Sequence, residues 1–594
     1  MKLATAIIFL SLWPVLASAQ DGLSLSEVAE QQQARQATGI ERAREAMSKR
    51  RFEEAALAAY SVLGSNEGPV VQDEATYTLA KALYRLRAYH SALHYFARIL
   101  AQGPRNPFFE SSLEWCLFIS RRMVDDASVN EVVARYGSDD LPTEYRDEFL
   151  FRLSRYHYTQ ALSIETGLVA GMVGQTQVEK TNTGGLSFSG DIFGTEGGGP
   201  MVQEKSGGGL SLGGDIFDTG ASEEAAPGLG DGELTASAHL AEAEKYALRV
   251  DEKSKYGARA KFIEALVMHM RDQPNEALSR FKSVIRLSRE DRAAEDERLR
   301  ELAFFQLART HFGAQQPSFS IFYYDKVSRD SREWLDAIYE ESWAHFRLGE
   351  YEKALGNLLT LHAPFFDDQY FPESRILEAV VYYENCRYAE ANRLLNQFLQ
   401  RYEPVLSELE RLTARDRTPS EYFELLDGLR NEDVAQDVQA DRAILSQIVE
   451  LALADRRLAR LDASQSEVQR ELKQWGRFAA FAGSSLDAEV SAILEEERAR
   501  LVDDAGQAVR ARLQEEQENI KELVQQAIRI GVETARSEQE RIESQLRSVE
   551  AGPKNVEQLF VEWTDDEKLV WPFGGEYWRD ELGTYELTLA RSCR

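Results

Sequence analysis

The chain reads as all-α: a solenoid of paired helices followed by two long helices. Three observations say so. Over 334–402 two helix-turn-helix units stand in tandem, with small residues recurring where paired helices must approach each other. Gly349, Tyr351, Ala354 and Leu358 mark the first, Tyr388, Ala391, Leu395 and Phe398 the second, so Ala354 and Ala391 lie 37 residues apart. Alanine at the contact lets the second helix of a pair sit close to the first, and the aromatic three positions earlier covers the turn. Later, Ile444, Ile448, Leu451, Leu458, Leu461, Val468, Leu472 and Trp475 mostly alternate three- and four-residue steps, the spacing of a coiled-coil seam. Finally, 594 residues are too many for one core, so a repeat array with further segments is expected.

The G-x-Y-x-x-A-x-x-x-L run and its copy resemble the tetratricopeptide (TPR) repeat, whose period is about 34 residues. The resemblance implies helical hairpins stacked into a right-handed superhelix that binds peptides or protein surfaces. Two unrelated helix pairs would be the plainer account, but further copies weigh against it. Phe52 and Ala55 form a degenerate one, and Tyr89, Ala92, Phe96, Leu100 and Pro104 a better one.

In chain order, residues 1–19 read as a secretory signal: Lys2, an apolar run from Leu3 to Leu16, then Ala17-Ser18-Ala19 as the cleavage site. No cysteine follows that run, which disfavours a lipoprotein, and no later stretch is apolar enough to span a membrane. Export to the periplasm, or to the outer membrane of a Gram-negative cell, is the expected address. Residues 20–166 hold the N-terminal TPR-like helices, with further helices at 107–124 and 144–165. Residues 167–233 turn to glycine, serine and threonine, a composition that predicts a disordered insert. Within it "GGLSFSGDIFGT" and "GGLSLGGDIFDT" share nine of twelve positions.

Repeats resume over 234–402, with Ala243 and Ala277 34 residues apart. The insert is therefore expected to interrupt the turn of one repeat, since lengthening a loop costs only about 0.6 kcal/mol per doubling. Residues 403–552 are expected to form a coiled-coil hairpin of long helices, the second over about 486–549, with a homodimer as the other way to satisfy the seam. In 553–594 prolines and glycines break the helix, and Tyr585, Leu587 and Leu589 alternate as in a strand, so a small β-containing tail is expected to dock on the rest.

There are 99 acidic and 69 basic residues, a formal charge of −30, which argues against nucleic acid or an anionic lipid surface as partner. Three cysteines in an exported chain allow one internal disulfide. Cys116 sits in an apolar helical run as a buried thiol. The long helices run out and back, returning the tail to the last repeats, so Cys386 and Cys593 are expected to pair.

Chemistry is thinly represented. Gly209-Leu210-Ser211-Leu212-Gly213 fits a nucleophile elbow without the strand and helix it needs. His90 and His94, one turn apart, read as a surface pair rather than metal ligands. No calcium loop, P-loop or CxxC is present, so no cofactor, metal or catalytic residue is expected. The residues singled out are instead peptide-like: Leu186, Asp191, Ile192 and Phe193 in the first GDIF phrase, and Leu210, Asp215, Ile216 and Phe217 in the second. Apolar side chains among glycines suit an extended backbone lying in a partner's groove. The export signal, repeat array, "ENCRY" turn and "GEYWRDELG" tail together look like large envelope TPR proteins of gliding and predatory Gram-negative bacteria. The expectation is a non-enzymatic exported scaffold binding protein partners in the cell envelope, in a motility or secretion machine. The alternative is a soluble periplasmic carrier or chaperone for exported polypeptides.

Overall fold

The computed structural model describes residues 39–65, 68–123, 126–136, 141–165, 235–290, 294–366, 369–430, 456–550 and 573–589. The expected signal segment, the insert 167–233 with both GDIF phrases, and Cys593 lie outside the described residues. Among those described there are 19 α-helices and no strand. The first sixteen follow one another as eight pairs. These are α1 (Gly39–Ser48) with α2 (Phe52–Leu63), α3 (Pro69–Arg85) with α4 (Tyr89–Leu100), α5 (Phe109–Ser120) with α6 (Ala127–Tyr136), and α7 (Arg146–Glu165) with α8 (Ala236–Ala247). Then come α9 (Gly257–Met270) with α10 (Pro274–Glu290), α11 (Ala294–Gly313) with α12 (Pro317–Tyr324), α13 (Trp334–Leu348) with α14 (Tyr351–Leu361), and α15 (Pro372–Glu384) with α16 (Tyr388–Thr413). After them stand α17 (Pro419–Arg430), α18 (Arg456–Trp475) and α19 (Ser485–Glu550).

One device closes most of these hairpins. The residue two places before the second helix is left-handed: Arg50, Arg87, Asp272, Gln315 and Cys386 at φ between 53° and 66°, and Gly349 at 73°. The next N–H then reaches the carbonyl five residues back, as in Arg51 to Ala46 at 2.9 Å, Ala88 to Leu83 at 2.9 Å and Arg387 to Tyr382 at 2.8 Å. These bonds occupy carbonyls that a helix end leaves without partners. Only Gly349 adopts that φ freely; at the other five positions it costs about 1 kcal/mol each. The contact alanines Ala55, Ala92, Ala243, Ala277, Ala354 and Ala391 are wholly buried.

The chain divides into two compact units. The first comprises Met1–Pro142 and Ala463–Arg500, and so takes in the first three helix pairs, most of α18 and the start of α19. Its α18–α19 turn is built on Trp475, stacked on Phe481 at 4.4 Å with its indole N–H donating to Asp487 at 3.0 Å. Glu471 of α18 caps α4: its carboxylate accepts the backbone N–H of His90 (3.0 Å) and Ser91 (3.2 Å) and the Ser91 hydroxyl (2.9 Å). Tyr60 and Tyr95 both donate to Glu489 of α19. His90 is thereby covered, not a surface residue as expected, and burial pushes its pKa down to about 4.

The second unit comprises Thr143–Asp462 and Leu501–Arg594. In it α7 and α8 form a single hairpin across the insert, with the Ser154 hydroxyl donating to the Ala243 carbonyl at 2.8 Å and the Nδ1 atoms of His157 and His239 2.9 Å apart. Arg309 of α11 grips Glu340 of α13, and Tyr324 of α12 donates to the same carboxylate at 2.6 Å, so two neighbouring pairs share a buried ion pair. Leu513, Ile520, Leu523 and Ala527 of α19 share a core with Leu395, Phe398 and Tyr402 of α16 and Tyr422 of α17. Of the expected seam, Ile444, Ile448 and Leu451 lie outside the described residues, while Leu458 and Leu461 of α18 join the same core as α19, α16 and α17. The expected strand over Tyr585–Leu589 is also corrected, since that segment is extended but pairs with no strand among the described residues.

Candidate protein-binding surfaces

The C-terminal tail lies lengthwise along α14, running opposite to it. Gly583 N–H donates to the Thr360 hydroxyl at 2.9 Å, and Leu587 N–H to the Glu352 carbonyl at 3.0 Å. Midway, the Tyr585 backbone rests on Gly356, where a Cβ would lie 1.6 Å from the Tyr585 carbonyl oxygen. The register follows from geometry. Four helical residues advance about 6 Å and two extended residues about 6.6 Å, so every second tail residue meets a new turn. The remaining side chains anchor it: Leu582 and Tyr585 pack with Ala363, Trp334 and Phe366, while Leu587 and Leu589 join the core of α13 and α14. Arg329 also donates to the Asp580 carbonyl at 2.8 Å. The alternation that predicted docking was correct about extended backbone, and no sequence signal named a helix as its support.

In the first unit α3 and α5, with Phe108 just before α5, carry a cluster of aromatic rings. Tyr77 stacks on Phe108 at 4.8 Å and accepts the Trp115 indole N–H at 3.0 Å; Tyr84 meets Trp115 edge-on at 4.9 Å. The Lys81 ammonium lies 5.0 Å from the Tyr77 ring centre and 5.8 Å from that of Trp115. Burial, then the neighbouring Arg85, holds its pKa below the ordinary lysine value. A pocket of about 290 Å³ opens here, lined by Arg44, Met47, Glu74, Tyr77, Lys81 and Phe108 among others. None of these residues was singled out from sequence. The signal available was the helical spacing of Tyr77, Lys81 and Tyr84, which reads equally well as core.

Of the residues that were singled out, Cys386 is half-buried at the α15–α16 turn and is disulfide-bonded. Its expected partner Cys593 lies outside the described residues, as do all eight GDIF residues. Cys116 is a free, fully buried thiol whose pKa burial pushes up to about 12. Among the described residues no three His, Cys, Asp or Glu side chains are placed to hold a metal ion, and no helix is long and apolar enough to cross a membrane.

No protein-family model matches the chain, and no curated protein does. Solved structures similar to it are helical-repeat proteins of TPR-like kind. The apo form of RapI aligns over 73% of this chain and 98% of its own at 11% identity and a TM-score of 0.30. A Rap protein complexed with competence and sporulation factor aligns over 78% and 98% at 8% identity and a TM-score of 0.25. Yeast Tom70 aligns over 78% and 95% at 10% identity and a TM-score of 0.18. At such scores the likeness is one of repeat type only, and the TPR-like architecture rests on the eight helix pairs themselves.

Proposed function

We propose that this protein is an exported scaffold that holds protein partners together in the cell envelope, as part of a motility or secretion machine and without chemistry of its own. The observation that carries the reading is the tail on α14. Here a face of the repeat array holds an extended peptide by hydrogen bonds from its N–H groups to the Thr360 hydroxyl and the Glu352 carbonyl, by a close backbone approach at Gly356, and by packing around Leu582 and Tyr585. Surfaces built by stacked helix pairs are suited to holding extended segments of other chains in the same way. The GDIF phrases add tethered peptides of the complementary kind, and two copies raise avidity through effective concentration. Changing Ile192, Phe193, Ile216 and Phe217 together to serine is expected to abolish one interaction with the helical spectrum unchanged.

The test of the reading is mild crosslinking of intact cells followed by purification of the full chain and its partners. A small, recurrent set of envelope proteins is expected. A broad collection of unfolded exported polypeptides would favour the carrier reading, and recovery from the cytoplasm with the first 19 residues retained would remove export.

A further inference from the structure

Among the described residues Lys81 is a cation without a counterion. It is half-buried between the rings of Tyr77 and Trp115, and among the described residues it makes no ion pair. The one carboxylate lining its pocket is already engaged, because Glu74 takes the Arg44 guanidinium through two contacts of 2.5 Å. A chain carrying a formal charge of −30 has no shortage of acids to place beside a lysine, yet among the described residues none pairs with this one. The ammonium lies partly out of water against two ring faces, with the like-charged Arg85 as its charged neighbour, so an incoming carboxylate would meet an unneutralised charge. The Tyr77–Phe108 stack and Met47 give the pocket its apolar walls, and Thr78 and Arg44 complete the lining.

We propose that this pocket takes an extended segment of a partner protein in which a carboxylate side chain stands next to an aromatic one, the carboxylate on Lys81 and the ring against Tyr77, Phe108 and Met47. The proposal rests on the scaffold reading and gives the partner's chemistry. The overall negative charge does not oppose it, because repulsion from distant acids is screened beyond about 8 Å at physiological ionic strength whereas a half-buried pair is screened much less. A charge-assisted contact in such a setting gives about tenfold or more in affinity.

The test is an array of immobilised peptides in which an aromatic residue is fixed and its neighbour is Asp, Asn or Lys, probed with the full chain. Retention on the Asp peptides is expected, at least about tenfold weaker on the Asn peptides and absent on the Lys peptides. Lys81→Gln and Tyr77→Ala are expected to abolish the preference, and Lys81→Arg to keep it; thermal melts matching the parent chain establish that each variant is folded. Equal retention on Asp and Asn peptides, or a preference unchanged in Lys81→Gln, overturns the assignment. That result leaves the scaffold reading standing, since the scaffold reading is judged by what co-purifies from cells.

Discussion

Gly356 and Tyr585 touch backbone to backbone: there is no room for a methyl group between the helix of one and the extended segment of the other. The glycine in the middle of α14 is unfavourable for the helix by about 1 kcal/mol relative to alanine, and the docked tail is the physical reason it is tolerated. Gly356→Ala is therefore expected to improve the isolated helix and to unseat the tail, at a net cost of about 1–3 kcal/mol for the overpacked contact. Hydrogen exchange reads it directly. The amides of Gly583 and Leu587 are expected to exchange at least about tenfold faster in the variant, and unchanged protection would mean that the tail is held elsewhere.

Glu471 gives the first unit a pH signature. Burial raises its pKa to about 7, against the opposing effect of the N–H groups of His90 and Ser91. The folded carboxyl thus keeps its proton above the point at which the unfolded one loses it. Its contribution to stability is present at low pH and is lost as pH rises from the ordinary 4.5 towards 7. His90, lowered to about 4 by burial, has the opposite slope below pH 6.5, so the informative quantity is the difference between wild type and Glu471→Gln. Between pH 4.5 and 8 denaturant melts are expected to show the variant gaining on wild type by up to about 3 kcal/mol. A constant difference across that range would contradict the assignment.

The legible part of this fold was the part written locally. Ala354 and Ala391 mark helix contacts within a hairpin, so their spacing carries the architecture by itself. The left-handed turns at Arg50, Arg87, Asp272 and Gln315 were not legible, because residues other than glycine occupy a conformation whose usual mark is glycine. Partners distant in sequence were harder still. His90 reads as exposed until Glu471, 381 residues later, is laid over its helix. Likewise Tyr585, Leu587 and Leu589 alternate because any extended backbone presents every second side chain to its support; a helix and a sheet edge leave the same trace. The same limit hid the Lys81 pocket, whose members come from three helix pairs.

The disulfide is expected to join Cys386 and Cys593 and to leave Cys116 reduced. Peptide mapping of the non-reduced protein from the periplasm checks it. Closing a loop of about 200 residues gives roughly 3–5 kcal/mol in the chain-entropy model, so reduction is expected to lower the stability of the second unit. A linkage to Cys116 would contradict the prediction.

A second copy of the chain is expected to pair through the exposed face of α19. Ile528, Val532, Ala535, Gln539, Ile542 and Leu546 follow heptad steps and are all exposed, on the side opposite the buried Leu523, Ala527 and Ile530. Parallel pairing would set Glu538 against Glu543 of the other chain, whereas antiparallel pairing brings Ile528 to Leu546, Val532 to Ile542 and Arg529 to Glu543. Light scattering is expected to find a dimer that Val532→Asp with Leu546→Asp converts to monomer. A monomeric parent chain would end this part of the account.

The most direct measurement of the scaffold claim places a photo-crosslinking amino acid at Thr78, on the wall of the Lys81 pocket, and irradiates intact cells. The account predicts one or a few envelope proteins, recovered reproducibly and joined through segments rich in acidic and aromatic residues. A diffuse ladder of many unfolded exported chains would contradict it, whereas no adduct at all in cells that carry the protein at its normal level would overturn the Lys81 assignment alone.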